Sequence, residues 1–433
     1  MPVSRKRKKK SQPGRKLSGP TASKASLAGA FDELFVHRRR LNEHRTALAG
    51  DAAGAIVDAL IAAAPGWSDD DLEDDLCTRY GAAMIQYEGG AMEDMVNPED
   101  LVGALLAAID ERLHAAAEAG ADVAVPRRLL TIVAGVLPFP LSESARDLVA
   151  EHVGAREAKL VARGRALTGP VLWARDAYGV RWAVVAPFAS AGGPDRWYLW
   201  DVDTCGYEVA TVYSGFHPSA ESALAAWRES VGQAAAGAAA LTPLDDKEML
   251  GDLLRGEFES ARIGGESQDQ YAEFLRSRRL GGTVKDAVRG LHGQASERLT
   301  ADEAGARFAR RLRELGYHDG PVGDGSGGSP AGADELAVEM AESWSPQHHP
   351  TLYPFCSPHK VAQIVLHLRG YYQNDFAVEI IAVLPEWIRL LAEHNGMAAE
   401  LTERCLAYAS GDLQFPGILD DRGQPNPMAR VTE

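Results

Sequence analysis

Four cysteines are all that 433 residues carry, and Cys77, Cys205, Cys356 and Cys405 lie far apart without a C-x-x-C. That spacing excludes a disulfide framework and points to a reducing, cytoplasmic setting. No uninterrupted apolar run reaches the ~18 residues of a membrane span, so nothing is expected to cross a membrane. Basic residues open the chain, but no apolar segment follows them, so no secretory signal is expected. A phosphate loop, G-x-G-x-x-G after a strand, G-x-S-x-G and H-E-x-x-H are all missing. Their absence removes the commonest signatures of nucleotide-binding and hydrolytic enzymes. Aromatic residues are sparse at 7%, yet five of the eight tryptophans fall between residues 170 and 230: Trp173, Trp182, Trp197, Trp200 and Trp227.

That stretch is β-rich in a chain that otherwise reads as helix. Strands are predicted at 170–175, 181–187, 196–202 and 207–213, from alternating side chains. Asp176-Ala177-Tyr178-Gly179 joins the first pair and Asp203-Thr204-Cys205-Gly206 the second. In each D-x-x-G the Asp bonds back to turn amides and Gly supplies a positive φ. A helix starting at Ser219 carries Ala220, Ala223, Leu224, Trp227 and Val231 on one stripe, giving a ββββα module with one covered face.

The fold class is therefore mainly α with a small α+β module: a helical domain, a four-stranded antiparallel sheet plus helix, then C-terminal helical segments. The divisions are a disordered basic tail 1–24, a helical domain 25–165, the module 166–233, a helical segment 245–316, a Gly-rich linker 318–334, a helical domain 335–410 and a frayed tail 411–433. In the first domain, helices are predicted at 27–48, at 52–64 capped by Asp51, from Ser68, from Asn97-Pro98, at 126–136 and at 143–163. Thr300 with Glu303 forms a capping box. Ser357 caps a helix with Pro358 at its first position, Pro385 interrupts or kinks the next, and Gly396 ends it. Alanine runs favour helix, and the Ala-, Arg-, Asp- and Gly-rich usage fits a high-GC bacterial coding bias.

The formal charge is −16, unevenly spread: residues 1–24 hold nine Lys/Arg and no acid, leaving −25 for the rest. A basic arm attracts nucleic acid while an acidic body repels it. Arg5, Lys6, Arg7, Lys8, Lys9 and Lys10 are the first candidates for that contact. A second basic group, Arg276, Arg278, Arg279, Lys285 and Arg289, surrounds Gly281-Gly282, where a helix-turn-helix could be drawn.

For metal, His348, His349, Cys356 and His359 are acceptable zinc ligand types within one short stretch. His367 is about 12 Å further along the helix from His359, too far to share an ion. Trp173, Trp182, Trp197 and Trp200 are candidates for an interaction surface if one sheet face is open. A base-stacking role is disfavoured, because residues 170–233 carry four Arg against seven acids.

The function expected is that of a non-enzymatic interaction or regulatory protein. Its acidic helical body would bind a protein partner, its arm would contact nucleic acid, and no cofactor is expected. The alternatives are a metal-assisted hydrolase centred near 348–359 and a peptide- or ligand-binding module using an open face of the sheet.

Overall fold

Capping chemistry sets many of the helix boundaries. The structure, a computed structural model, describes residues 24–88, 91–190, 193–205, 209–254, 266–289, 299–318, 331–344 and 355–419. The N-terminal helices are α1 (Lys24–Ala63), α2 (Asp69–Glu88), α3 (Pro98–Glu118), α4 (Ala124–Val136), α5 (Leu141–His152) and α6 (Ala155–Arg163). Ser68 and Asp71 bond reciprocally at the start of α2, and Pro98 opens α3 behind Asn97. Buried side chains of these helices form one core that includes Ala53, Ile56, Leu60, Leu72, Tyr80, Leu105, Leu129 and Val149.

Two expectations fail here. Asp51 caps nothing: α1 runs through it, because Ala49, Ala53, Ile56, Val57 and Leu60 keep one buried stripe across the position. The segment expected at 143–163 is two helices, broken at Gly154, whose φ of +130° no helix accommodates. The stretch His37–Gly66 also passes the length and hydropathy test for a membrane span, because alanines raise its average although Asp51 and Asp58 interrupt it. Its apolar stripe packs on the other helices instead.

The sheet contains five strands among the described residues, in the order β4-β3-β2-β1-β5 and antiparallel throughout. They are β1 (Leu172–Arg175), β2 (Arg181–Phe188), β3 (Arg196–Asp203), β4 (Ala210–His217) and β5 (Thr242–Pro243). The sheet was expected to have four strands. The fifth is two residues from the Ala/Gly-rich stretch after Val231, too short to show an alternating pattern, and it pairs with Leu172 and Trp173. The fourth extends to His217 because β3 offers seven residues to pair, from Trp197↔His217 to Asp203↔Ala210, with a bulge at Asp201/Val202.

Helices follow as α7 (Ala220–Val231), α8 (Gln233–Ala236), α9 (Lys247–Leu253), α10 (Gln268–Val288), α11 (Ala301–Glu314), α12 (Ala333–Trp344), α13 (Pro358–Tyr371), α14 (Asn374–Asn395) and α15 (Ala399–Ser410). Thr300 and Ser357 cap as read from sequence, Ser219, where a helix was expected to start, caps α7, and Gly396 ends α14 at φ +63°. Pro385 does not interrupt α14. Val383, Leu384, Trp387, Ile388 and Leu391 bury one continuous stripe through it, which offsets the single backbone bond that proline removes. Residues past 411 are not all frayed: Pro416–Ile418 form a 3-10 turn with Ile418 buried.

The sheet has no open face among the described residues. Ala174, Ala183, Val185 and Leu199 lie under Trp227 of α7 and within the core of α11 to α15. Trp182, Val184, Phe188, Tyr198, Trp200 and Val202 pack with Met249, Leu250 and Leu253 of α9 and with Leu280, Val284 and Val288 of α10. α10 also sends Tyr271, Phe274 and Leu275 into the N-terminal core. Its crossing with α2 is backbone-close: a Cβ on Gly81 would stand 2.5 Å from the Gln268 carbonyl oxygen and 2.6 Å from the Ala272 nitrogen.

Gly81→Ala should therefore destabilise the protein by about 1–3 kcal/mol, the usual range for overpacking a close contact. Gly103→Ala in α3, with nothing within 4 Å of the added carbon, should stabilise by about 0.5–1 kcal/mol through helix propensity. Urea unfolding of both variants checks the pair. A Gly81→Ala protein as stable as the parent would contradict the close crossing.

Candidate functional site

Three places in the fold concentrate polar or charged side chains, and they differ in what each can do. The first is the seam where α2, the sheet and α10 meet. Arg276, 5% exposed, donates to Glu73 at 3.3 Å, to Glu273 at 2.8 Å and to Asp74. Arg165 reaches Asp70 at 2.5 Å and Glu73 at 2.7 Å, and Arg196 reaches Asp74 at 2.8 Å. The Tyr198 hydroxyl donates to Glu273 at 2.7 Å. The Phe216 ring sits among the three guanidiniums, with their central carbons 4.2 to 5.2 Å from its centroid. Burial works to raise Asp70, but the Ser190 hydroxyl and the Arg165 guanidinium outweigh it and hold the carboxyl below its ordinary value. Burial likewise pushes the Cys77 thiol up, which keeps it protonated and inert. Such a set of mutually satisfied charges positions elements and leaves little to offer a ligand.

This seam overturns the helix-turn-helix reading. α10 is continuous through Gly281-Gly282, because Leu280, Val284 and Val288 bury one stripe against the sheet and outweigh the low helix propensity of glycine. Arg276 is spent in the seam. Arg278 lies over the Phe274 ring at 3.5 Å, and Arg279 donates to the Val161 and Ala162 carbonyls. Lys285 and Arg289 are exposed, and Arg289 pairs with Asp286 at 2.6 Å. The five cations form no common face for a groove. The tryptophan surface is corrected too: Trp182 and Trp200 are buried and Trp173 and Trp197 half-buried, because both faces are covered.

The second place is the turn end of the sheet. Asp176 accepts from the Val180 and Arg181 amides at 2.8 and 3.0 Å, and Gly179 has the positive φ expected of it, +79°. Asp203 accepts from the Cys205 amide at 2.6 Å. Arg181 forks diagonally from β2 onto Asp201 of β3 at 3.1 and 2.6 Å, and Ser230 of α7 adds a bond to Asp201 at 2.9 Å. The start of α13 caps these turns. Phe355 stacks over Gly179, where a Cβ would meet its ring, and Ser357 Oγ lies 3.0 Å from Cys205 Sγ. His359 Nδ1 lies 3.8 Å from Asp203 Oδ2. The Phe415 ring closes over His359 at 5.7 Å. Asp176, Arg181, Asp203, Cys205, Ser357 and His359 line a cavity of about 20 Å³, enough for one water-sized occupant and too small for an organic substrate.

Of the metal candidates read from sequence, His359 belongs to this cluster. Cys356 is instead buried in the apolar core of the C-terminal helices, and His348 and His349 lie outside the described residues. The stretch 348–359 is therefore not brought together as expected, since Ser357 starts a helix that turns His359 towards the sheet. Asp203 and Cys205 were missed as partners of His359. More than 150 residues separate them in sequence, so no spacing motif could link them.

The third place is the stretch of α1 before Ala49. From His37 to Leu48 no side chain is buried, whereas Ala49 onward enters the core. Arg38, Arg39 and Arg40 are exposed and Arg45 half-buried, with Arg39 pairing to Glu43 and His44 touching Asp94 at 2.8 Å. The basic arm, including Arg5 to Lys10, lies outside the described residues and joins this helix directly at Lys24. No known protein family, curated protein or solved structure matches the chain.

The turn end generates a pH prediction. Burial drives the Asp176 carboxyl up to about 7, against the two amides and Arg181 that favour its ionised form. The folded state thus holds this proton more tightly than the unfolded chain. Its stabilisation is complete below the ordinary value of 3.8 and is lost as pH rises through about 7. Asp176→Asn cannot titrate, so its stability relative to the parent should rise across that interval. Urea unfolding at a series of pH values reads the difference, and a constant difference across the interval would contradict the assignment.

Proposed function

We propose that the chain is a non-enzymatic interaction protein that contacts nucleic acid through a basic rod, the N-terminal arm continued by the stretch of α1 before Ala49. The observation that carries this reading is the exposure of Arg38, Arg39 and Arg40 in a stretch of α1, His37 to Leu48, with no buried side chain. The expectation from sequence placed the contact in residues 1–24 alone. This stretch of α1 extends it, so residues 1–46 hold thirteen Lys/Arg against three Asp/Glu. An unshielded helix with this charge suits a phosphate backbone, and its contacts release counterions without reading sequence. The rest of the chain carries the balance of the −16, about −26, and repels polyanions. Its chemistry is that of a body for protein partners.

Binding should fall steeply with salt. Replacing Arg38, Arg39 and Arg40 by Gln should make the slope of log K against log salt shallower by about 2–3, and removing residues 1–24 should cost more. Fluorescence anisotropy with mixed-sequence duplex DNA and single-stranded RNA measures both. Equal binding by the parent and the chain lacking residues 1–24, or no binding by either, would sink this reading.

A further inference from the structure

We propose that Asp203, Cys205 and His359 together hold one divalent cation of the zinc class, which ties the second hairpin turn of the sheet to the first turn of α13. One ligand atom from each residue lies within 4.8 Å of the other two, and all three residues are buried. The 3.8 Å from Asp203 Oδ2 to His359 Nδ1 is too long for a hydrogen bond. It is close to the ~3.3–3.6 Å that separates neighbouring ligands around a tetrahedral ion with bonds of about 2.0–2.3 Å.

The donor set fits the same ion. Thiolate, imidazole and carboxylate are the three side-chain ligands zinc takes, and one thiolate with one carboxylate neutralises a dication in a buried site. Each ligand also has outer support of the kind that orients metal ligands. Asp203 Oδ1 is held by the Cys205 amide at 2.6 Å, and the second ring nitrogen of His359 lies 3.0 Å from the Gln363 side-chain amide. With the amide oxygen of Gln363 turned to that nitrogen, the ring presents Nδ1 to the cation. The fourth position falls to Ser357 Oγ, 3.0 Å from the sulfur, or to one water in the adjoining cavity of about 20 Å³.

The nearby cations do not oppose this arrangement. Arg181 is committed to Asp201, and the Lys360 amine lies 5.9 Å from the centroid of the Trp344 ring. The other grouping of ligand types among the described residues, Asp110, His114 and His152, is different. It is partly exposed, and His152 already bonds Asp110 at 2.7 Å, which leaves no gap for an ion between them.

The test uses the full chain, stripped with EDTA and reloaded with zinc or, separately, cobalt(II). Elemental analysis should find about one zinc per chain. Cobalt should give a thiolate charge-transfer band, and reloading should raise the thermal midpoint, since an ion bound only by the folded state stabilises it. Cys205→Ser should lose the cobalt band and His359→Gln should weaken zinc binding at least tenfold, while Cys356→Ser keeps both. A stripped parent chain that takes up no zinc and shows no cobalt band overturns the proposal, whatever the variants do. So does a band kept by Cys205→Ser or lost by Cys356→Ser.

Discussion

The charge of Arg276 constrains the rest of the molecule. It is buried where α2, the sheet and α10 converge, and a guanidinium taken out of water must be met by anions wherever it sits. Glu73 and Asp74 come from α2 and Glu273 from its own helix, while Arg165 and Arg196 balance the surplus carboxylates. Apolar contacts on either side of the seam would tolerate a slip of one helix along another. A buried charge does not, because a displaced α10 would leave the cation among hydrocarbon. The network therefore sets the register of α10, and α10 in turn couples the N-terminal core to the sheet face carrying Trp182 and Trp200. The Gly81 crossing reinforces this, since the two backbones can approach that closely in one register.

Local chemistry was legible in the sequence and long-range closure was not. Thr300, Ser357, Pro358 and Gly396 act within a few residues of themselves, so their roles at helix ends could be read directly. The Asp176 turn was legible for the same reason, as was the bond of Asp203 to the Cys205 amide, while Gly206 lies outside the described residues. Helix continuity was not: Asp51, Gly281-Gly282 and Pro385 are all local stop signals that a long buried stripe overrides. The fifth strand is held by pairing with Leu172 and Trp173 rather than by any pattern of its own. The seam was least visible, because the cluster Arg276, Arg278 and Arg279 resembles a solvated basic face until Glu73 and Asp74, some 200 residues earlier, are placed beside it.

The same logic governs the turn end of the sheet. A hairpin Asp is a turn residue by local rules, and Asp203 obeys them with one oxygen. Its second oxygen faces His359 because α13 docks its capped start onto both turns, through Phe355 over Gly179 and Ser357 beside Cys205. Docking that buries Asp176, Asp203, Cys205, His359 and Lys360 at one junction concentrates polar desolvation there. Elsewhere the C-terminal helices meet the sheet through apolar side chains. The junction is where their attachment is least explained by hydrophobic burial and most dependent on specific partners.

Charge segregation along α1 makes a basic rod physically workable on an acidic protein. His44 touches Asp94, and from residue 24 to residue 40 the helix runs about 25 Å at helical rise. The Debye length at 0.1 M salt is about 10 Å. Repulsion between the body and a polyanion held at the far end of the rod is therefore largely screened, while contacts made along the rod itself are not. Shortening the helix would bring a bound phosphate backbone into the field of the body. The apolar stripe from Ala49 onward anchors α1 in the N-terminal core, so a contact made along its first half would be tied to the body through one continuous helix.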